Sequence, residues 1–275
     1  MSTDKGFPAA VASAKALGVE AVQIFTTNPS SWQAKMADPT AAHAFTDALR
    51  AAGVRTVVSH ANYLINMAGA EEPIYTKSCK ALTGELQRGA AYGLDHVIVH
   101  IGSHKGTGLE SAYSHVAGAV HGALAAVPAE ASPRLLLENS AGTGDNVGGD
   151  FADLAELMGR LEDVSDRVGI CFDTCHAHAA GHEMSGAEMT GDVMAELDEV
   201  LGLEHVFVIH ANDTQVPAGG KADRHWHIGE GLLGEDAFAY MLHLPELRNL
   251  PFILETPGDE SIEGRRNLET LRALA

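Results

Sequence analysis

Hydrophobic and polar positions in this chain alternate at the scale of whole segments. Seven short apolar or β-branched runs recur, at 21–25 (AVQIF), 55–59 (RTVVS), 96–99 (HVIV), 134–137 (RLLL), 168–172 (VGICF), 206–209 (VFVI) and 252–254 (FIL). Unbroken apolar runs of this length suit strands of a parallel sheet covered on both faces. Between them lie longer Ala/Leu-rich segments that read as helices: 41–52, 74–92, 150–161, 191–202 and 235–244. The first two stop at Gly53 and Gly93, and glycine is the common residue just past a helix end. Strand then helix, repeated, predicts an α/β fold with right-handed crossovers. A closed (β/α)8 TIM-type barrel of roughly 250 residues would use eight such units. Seven are visible, and the chain begins in what reads as the loop before the first helix. The expectation is one TIM-barrel domain over 1–275 with its first strand absent. Exposed strand edges would then make a form extended by about ten residues the more stable one.

The residue directly after each run is more informative than the run itself. The second to seventh runs are succeeded by His60, His100, Glu138, Asp173, His210 and Glu255. In a parallel barrel the C-terminal strand ends converge on the face that carries active sites. A lone His or carboxylate there reads as a loop residue or helix cap. Six in succession, buried without a cation, would be costly. As a nitrogen/oxygen donor set they suit zinc or manganese. His176 lies three residues after Asp173, and a helical turn would aim both into one cavity. Asp223 and His225 are two apart, so an extended stretch turns them to the same side. These nine residues suffice for three cations with shared carboxylates. Cys171 and Cys175 are expected to pack on the opposite side and not to act as ligands. His178 and His182 read as neutral loop residues.

Charge sharpens the picture. Lys plus Arg number 18 against 37 Asp plus Glu, a net charge of −19. That argues against a broadly basic nucleic-acid coat. Four carboxylates with three divalent ions would nevertheless leave a site of about +2, since bound cations invert the local field. Such a pocket suits a phosphate. The three cysteines, Cys79, Cys171 and Cys175, form no disulfide framework and fit a reducing cytoplasm. No apolar run approaches the ~20 residues of a membrane helix, and the first residues carry no basic and apolar signal pattern.

The ligand pattern sits in segments that resemble the endonuclease IV family of abasic-site endonucleases. They are QIFTTNPSSW (23–32), SHANYLINMAG (59–69), HIGSH (100–104), LENSAGTGDNVGG (137–149), GICFDTCHAHAAGHE (169–183), IHANDTQ (209–215), DRHWHIGEG (223–231) and ILETPGDE (253–260), and together they span nearly the whole chain. The resemblance implies a trinuclear zinc site, with manganese a possible substitute. His60, His100 and Glu138 would hold one ion. Glu138 would bridge to a second, completed by Asp173, His210 and Glu255. His176, Asp223 and His225 would hold the third. The implied activity is hydrolysis of the phosphodiester 5′ to an abasic site in double-stranded DNA, leaving a 3′-hydroxyl and a 5′-deoxyribose phosphate. Trimming of blocked 3′ ends is implied as well. Glu138 would orient or activate the attacking hydroxide. Asn62, Tyr63 and Leu64 match the loop that enters the minor groove, with Tyr63 and Leu64 as wedges. The implied state is a monomer.

The loop 28–32 lacks the basic residue that some members of the family carry there, so Lys35, Lys105 or Arg224 would supply the phosphate grip. With few basic residues, salt dependence of DNA binding should be moderate. Two alternatives use parts of the same pattern. A TIM-barrel sugar isomerase or epimerase with one or two Mn²⁺ or Mg²⁺ would employ Glu138, Asp173, His210 and Glu255 and leave the other histidines and Asp223 idle. A non-catalytic, metal-stabilised binder of damaged DNA would keep the ligands without turnover.

Overall fold

The computed structural model describes residues 1–34, 38–258 and 262–275. In chain order the elements are α1 (Phe7–Leu17), β1 (Ala21–Ile24), α2 (Pro39–Ala51), β2 (Thr56–His60), α3 (Ile74–Tyr92), β3 (His96–His100), α4 (Leu109–Ala125), β4 (Arg134–Glu138), α5 (Phe151–Arg160) and β5 (Val168–Asp173). They continue with α6 (Thr174–Ala180), α7 (Gly186–Val200), β6 (Val206–His210), β7 (Asp213–Thr214), β8 (His225–Trp226), α8 (Glu235–His243), β9 (Phe252–Ile253) and α9 (Ile262–Ala273). Seven strands pair in the order β1-β2-β3-β4-β5-β6-β9, and β7 and β8 form a separate antiparallel ribbon. Neighbouring strands β1–β2, β2–β3, β5–β6 and β6–β9 run parallel. This is the α/β alternation expected from the apolar runs. Among the described residues no helix is long and apolar enough to cross a membrane.

The local signals act as anticipated. Helix α3 has the expected bounds and ends at Gly93, whose φ of 67° is left-handed and favours glycine. Asp38 caps α2 by accepting the Thr40 N–H at 3.1 Å, with Pro39 in the first turn. Gly89 is required for a different reason: a Cβ there would meet Pro133 at 2.8 Å and Val97 at 2.9 Å. Two expectations are corrected. Helix α7 begins at Gly186, earlier than the predicted 191, and His178 lies inside α6, not in a loop.

The chain divides into two compact units, Met1–Leu137 with Glu156–Gly169, and Glu138–Ala155 with Ile170–Ala275. In the first, α1, α2 and the end of α3 close over β1 and β2. Phe7 stacks on Phe45 with ring centroids 4.4 Å apart, and Tyr92 meets both rings edge-on. Val22, Ile24, Leu49, Val57 and Leu94 complete this cluster. The same unit buries an ion pair. Arg88 and Glu85 on α3 lie 2.7 Å apart with side chains 6% and 1% exposed. Thr26, just past β1, donates to Glu85 at 2.6 Å and accepts from Arg88 Nε at 3.0 Å. The pair therefore anchors the start of the loop after β1. In the second unit the β5 residues Ile170–Asp173 are all buried. Phe172 of that strand lies 6.1 Å from Phe151, which also stacks on His182 at 3.7 Å.

Removing one partner of a buried pair strands the other charge, at a cost of about 3–5 kcal/mol. Glu85→Ala is expected to lower the unfolding free energy in urea by about that amount. A loss below about 1 kcal/mol, the value of an exposed pair, would contradict this assignment.

Candidate metal centre

The first unit contributes two imidazoles. His60 and His100 are the last residues of the adjacent strands β2 and β3, with ring centroids 4.9 Å apart and nearly perpendicular planes. His60 is buried, and its Nδ1–H donates to the Ala61 carbonyl at 2.8 Å. That bond leaves Nε2 as the nitrogen that could ligate a cation, the usual outer-shell arrangement of a metal-binding histidine. Glu138 ends β4, the next strand of the sheet.

Beside the two histidines stands the expected wedge loop. Tyr63 lies 5.3 Å from the His60 ring and 5.9 Å from the His100 ring, yet is 51% exposed, and Leu64 is 37% exposed. The Tyr63 N–H donates to the Pro29 carbonyl at 3.0 Å. Asn62 is buried: its amide donates to the Ser31 carbonyl and accepts the Leu64 N–H. Asn62 therefore braces the loop, while Tyr63 and Leu64 are the side chains it presents.

The second unit gathers the remaining seven ligand candidates into two adjoining groups. In the first, His210 Nδ1 is surrounded by carboxylates: Glu138 Oε1 at 2.9 Å, Glu255 Oε2 at 3.3 Å and Asp173 Oδ2 at 3.9 Å. In the second, the two oxygens of Asp223 face His176 Nε2 and His225 Nε2, each at 3.2 Å. His225 Nε2 is also 3.6 Å from Asp173 Oδ2, so Asp173 borders both groups. Helix α6 begins directly after β5, with Asp173 as its cap accepting the His176 N–H at 2.8 Å. This is the helical turn that the three-residue spacing required. Backbone carbonyls orient the rings, Asn139 O on His176 Nδ1 at 2.9 Å and Glu255 O on His225 Nδ1 at 3.2 Å. Both therefore aim Nε2 at the carboxylates.

Three side chains with no part in the expected site hold it in place. Asn139 grips the Asp173 backbone from both ends, accepting its N–H at 2.6 Å and donating to its carbonyl at 3.0 Å. Asn212 bridges Asp173 and the backbone of Glu255. Asp213, fully buried, accepts the backbone N–H groups of Thr214, Gly229, Gly231 and Leu233 at 2.8–3.0 Å. It thereby folds the loop beyond His225 around a single carboxylate. Gly231 is obligatory there, because a Cβ would overlap the Asp213 carboxylate. The signal in the sequence was polar residues directly behind buried strand ends, as in 138–139 and 210–213.

The cysteines are corrected. Cys171 does not face away: its thiol lies near His210 and Glu138, and Cys175 lies near Asp173 and His225. Residues two apart on a strand share a face, so Cys171 must accompany Asp173. Burial pushes both thiols up to about 12, so they stay protonated. His178 is held neutral by burial, and its Nδ1 accepts the Met184 N–H at 3.1 Å. His182 contacts Glu196 and the Gly149 carbonyl, away from the ligand groups. Lys105 and Arg224 are exposed, whereas Lys35 lies outside the described residues.

The donor set of imidazole nitrogens and carboxylate oxygens, its candidate atoms grouped within 4.8 Å of one another, fits divalent cations. Burial alone would lower His176, but Asp173, Asp223 and Glu138 outweigh it and lift the ring to about 10. His225 is likewise lowered by burial and raised by Asp173, Asp223 and Glu255, to about 9. His210 is lowered by burial but driven well above its usual value by the carboxylates of Glu255 and Glu138. Desolvation raises Asp223, but the hydrogen bonds from His176 and His225 hold it far below the usual carboxylate range. The carboxylates that raise these three rings are themselves candidate ligands.

Raised histidine pKa values stabilise the folded state in full below the unfolded value near 6.5 and lose that stabilisation as pH climbs through the folded values. The chelator-treated protein is therefore expected to lose thermal stability between pH 6.5 and 10. His225→Gln should flatten part of that slope. Identical slopes in the two proteins would refute the link.

A family model described as xylose isomerase-like TIM barrel matches residues 11–274. A probable endonuclease 4 from Methanoculleus marisnigri is 41% identical over 266 residues, covering 97% of this chain and 94% of that protein. A probable endonuclease 4 from Solibacter usitatus is 40% identical over 260 residues, covering 94% of this chain and 89% of that protein. Among solved structures, endonuclease IV from Thermus thermophilus superposes with a TM-score of 0.85 at 38% identity, covering 99% of this chain and 95% of that one. Fold, length and sequence agree across the whole chain: it belongs to the endonuclease IV family of xylose isomerase-like TIM barrels.

Proposed function

We propose that this protein is an abasic-site endonuclease that hydrolyses the phosphodiester 5′ to the lesion in duplex DNA and trims blocked 3′ ends at the same site. The observation that carries the reading is the pair of adjoining ligand groups: His210 among Glu138, Asp173 and Glu255, and His176 with His225 on Asp223. A sugar isomerase or epimerase would use the first group and leave the second without work.

Three zinc ions are proposed. His60, His100 and Glu138 would hold one; Glu138, Asp173, His210 and Glu255 a second; His176, Asp223 and His225 the third. Such ions, when bound, make water a nucleophile at neutral pH and neutralise the phosphate oxygens. Glu138 orients the attacking water and takes its proton. The water oxygen bonds to phosphorus as the bond to the upstream 3′-oxygen breaks, and the departing 3′-oxygen takes a proton from solvent, leaving a 3′-hydroxyl and a 5′-deoxyribose phosphate. Tyr63 and Leu64 enter the minor groove beside the lesion and support the kink. The abasic sugar turns outward at small cost because it has no base to unstack. Arg224 and Lys105 supply phosphate contacts in a protein of net charge −19.

The test is a labelled duplex with one abasic site, incubated with zinc-loaded protein, with chelated protein and with Glu138→Gln. Wild type is expected to nick 5′ to the lesion and leave a 3′-hydroxyl. The variant is expected to lose about 10²–10⁴-fold, the usual contribution of a positioned base. Chelation should abolish cleavage. Intact duplex after incubation with protein holding three ions would overturn the proposal.

A further inference from the structure

Asn212 is fully buried two residues beyond the ligand His210, and both ends of its amide are used. Nδ2–H donates to Asp173 Oδ2 at 2.7 Å, and Oδ1 accepts the Glu255 backbone N–H at 2.8 Å. The amide cannot be turned over, because a backbone N–H can only donate and so fixes which end is oxygen. Its own backbone is locked as well: the Thr174 hydroxyl accepts the Asn212 N–H at 2.9 Å and donates to the Asn212 carbonyl at 2.7 Å. The Glu255 carbonyl in turn orients His225.

We infer that Asn212 is a positioning residue, the brace that ties Asp173 of β5, Glu255 beyond β9 and, through Glu255, His225 of β8 into one arrangement able to receive metal ions. The inference rests on the metal-centre reading above. The Asp173 carboxylate borders both ligand groups, and its Oδ2 lies 3.9 Å from His210 and 3.6 Å from His225. Among the described residues the His176 N–H donates to Oδ1 and Asn212 to Oδ2. A carboxylate held on both oxygens keeps a fixed plane, with further lone pairs available for cations. Without the Asn212 donor, Oδ2 is free to swing. Outer-shell partners of this kind are commonly worth 10–100-fold in metal affinity or activity.

Asn212→Asp preserves the shape and the bond from Glu255 but sets an oxygen against Asp173 Oδ2. Asn212→Ser removes both contacts and leaves room for water, a second route should the acidic variant fail to fold. Co²⁺ alone is the probe, titrated into metal-free protein, with the visible spectrum and competition by a chelator as readouts. Parallel measurements give kcat and KM on abasic duplex and the Tm of the metal-free forms. The expected result is Co²⁺ bound about 10–100-fold more weakly with an altered spectrum, a matching fall in kcat, and KM for DNA within about twofold of wild type. A variant that folds with lower Tm but binds Co²⁺ with wild-type affinity and spectrum would make Asn212 a packing residue and overturn the inference. Wild-type protein that binds no Co²⁺ would remove the metal-centre reading and this inference together, a result distinct from the first.

Discussion

A carboxylate withdrawn from water must find positive charge or several donors, and this requirement organises the second unit. Asp213 meets it with four close backbone N–H groups and so folds a loop around itself. Glu138, Asp173 and Glu255 gather around His210, and Asp173 also accepts from the His176 N–H and the Asn212 amide. The two solutions have different consequences. A carboxylate saturated by backbone donors is structural and has nothing left to offer. Carboxylates satisfied by imidazoles remain exchangeable, because the proton on each ring can be traded for a metal ion as the site fills. The same burial that makes these carboxylates and histidines costly to leave unpaired is what suits the group to receiving cations.

Much of this was legible in the chain because it came from repetition. Strand ends recur at regular intervals, so a His or carboxylate after one apolar run gains meaning from the next five. His60, His100, Glu138, Asp173 and His210 all close strands, and Glu255 comes two residues after the last. The bounds of α3 were readable because Gly93 terminates it. Helix α4 was harder: its buried positions Ala112, Val116, Ala119, Val120 and Ala123 keep helical spacing, but alanine and glycine on the opposite face blur the contrast. Helix α9 is too polar to announce itself by hydrophobicity.

The spacing of Cys171 and Cys175 about Asp173 suggests the opposite side, but residues two apart on a strand share a face, and Cys171 follows Asp173. Asn139, Asn212 and Asp213 carry no such positional mark. Polar residues after a strand look like turn formers, and only the three-dimensional arrangement reveals that they are buried and each committed to a ligand or to the loop beside one. Ligands are chosen for chemistry and leave a mark in composition. The residues that hold them are chosen for reach and angle, which no linear pattern records.

The loop that presents Tyr63 is held at three backbone points, through Pro29, Ser31 and Leu64, and its neighbouring segment is anchored by Thr26 on the buried Glu85–Arg88 pair. A loop immobilised before any partner arrives forfeits little conformational entropy on association. In the proposed DNA complex, the deformation cost then falls on the duplex. There the protein would act as a rigid gauge of bendability, and a helix already weakened by a missing base would accept the wedge at lower cost than an intact one.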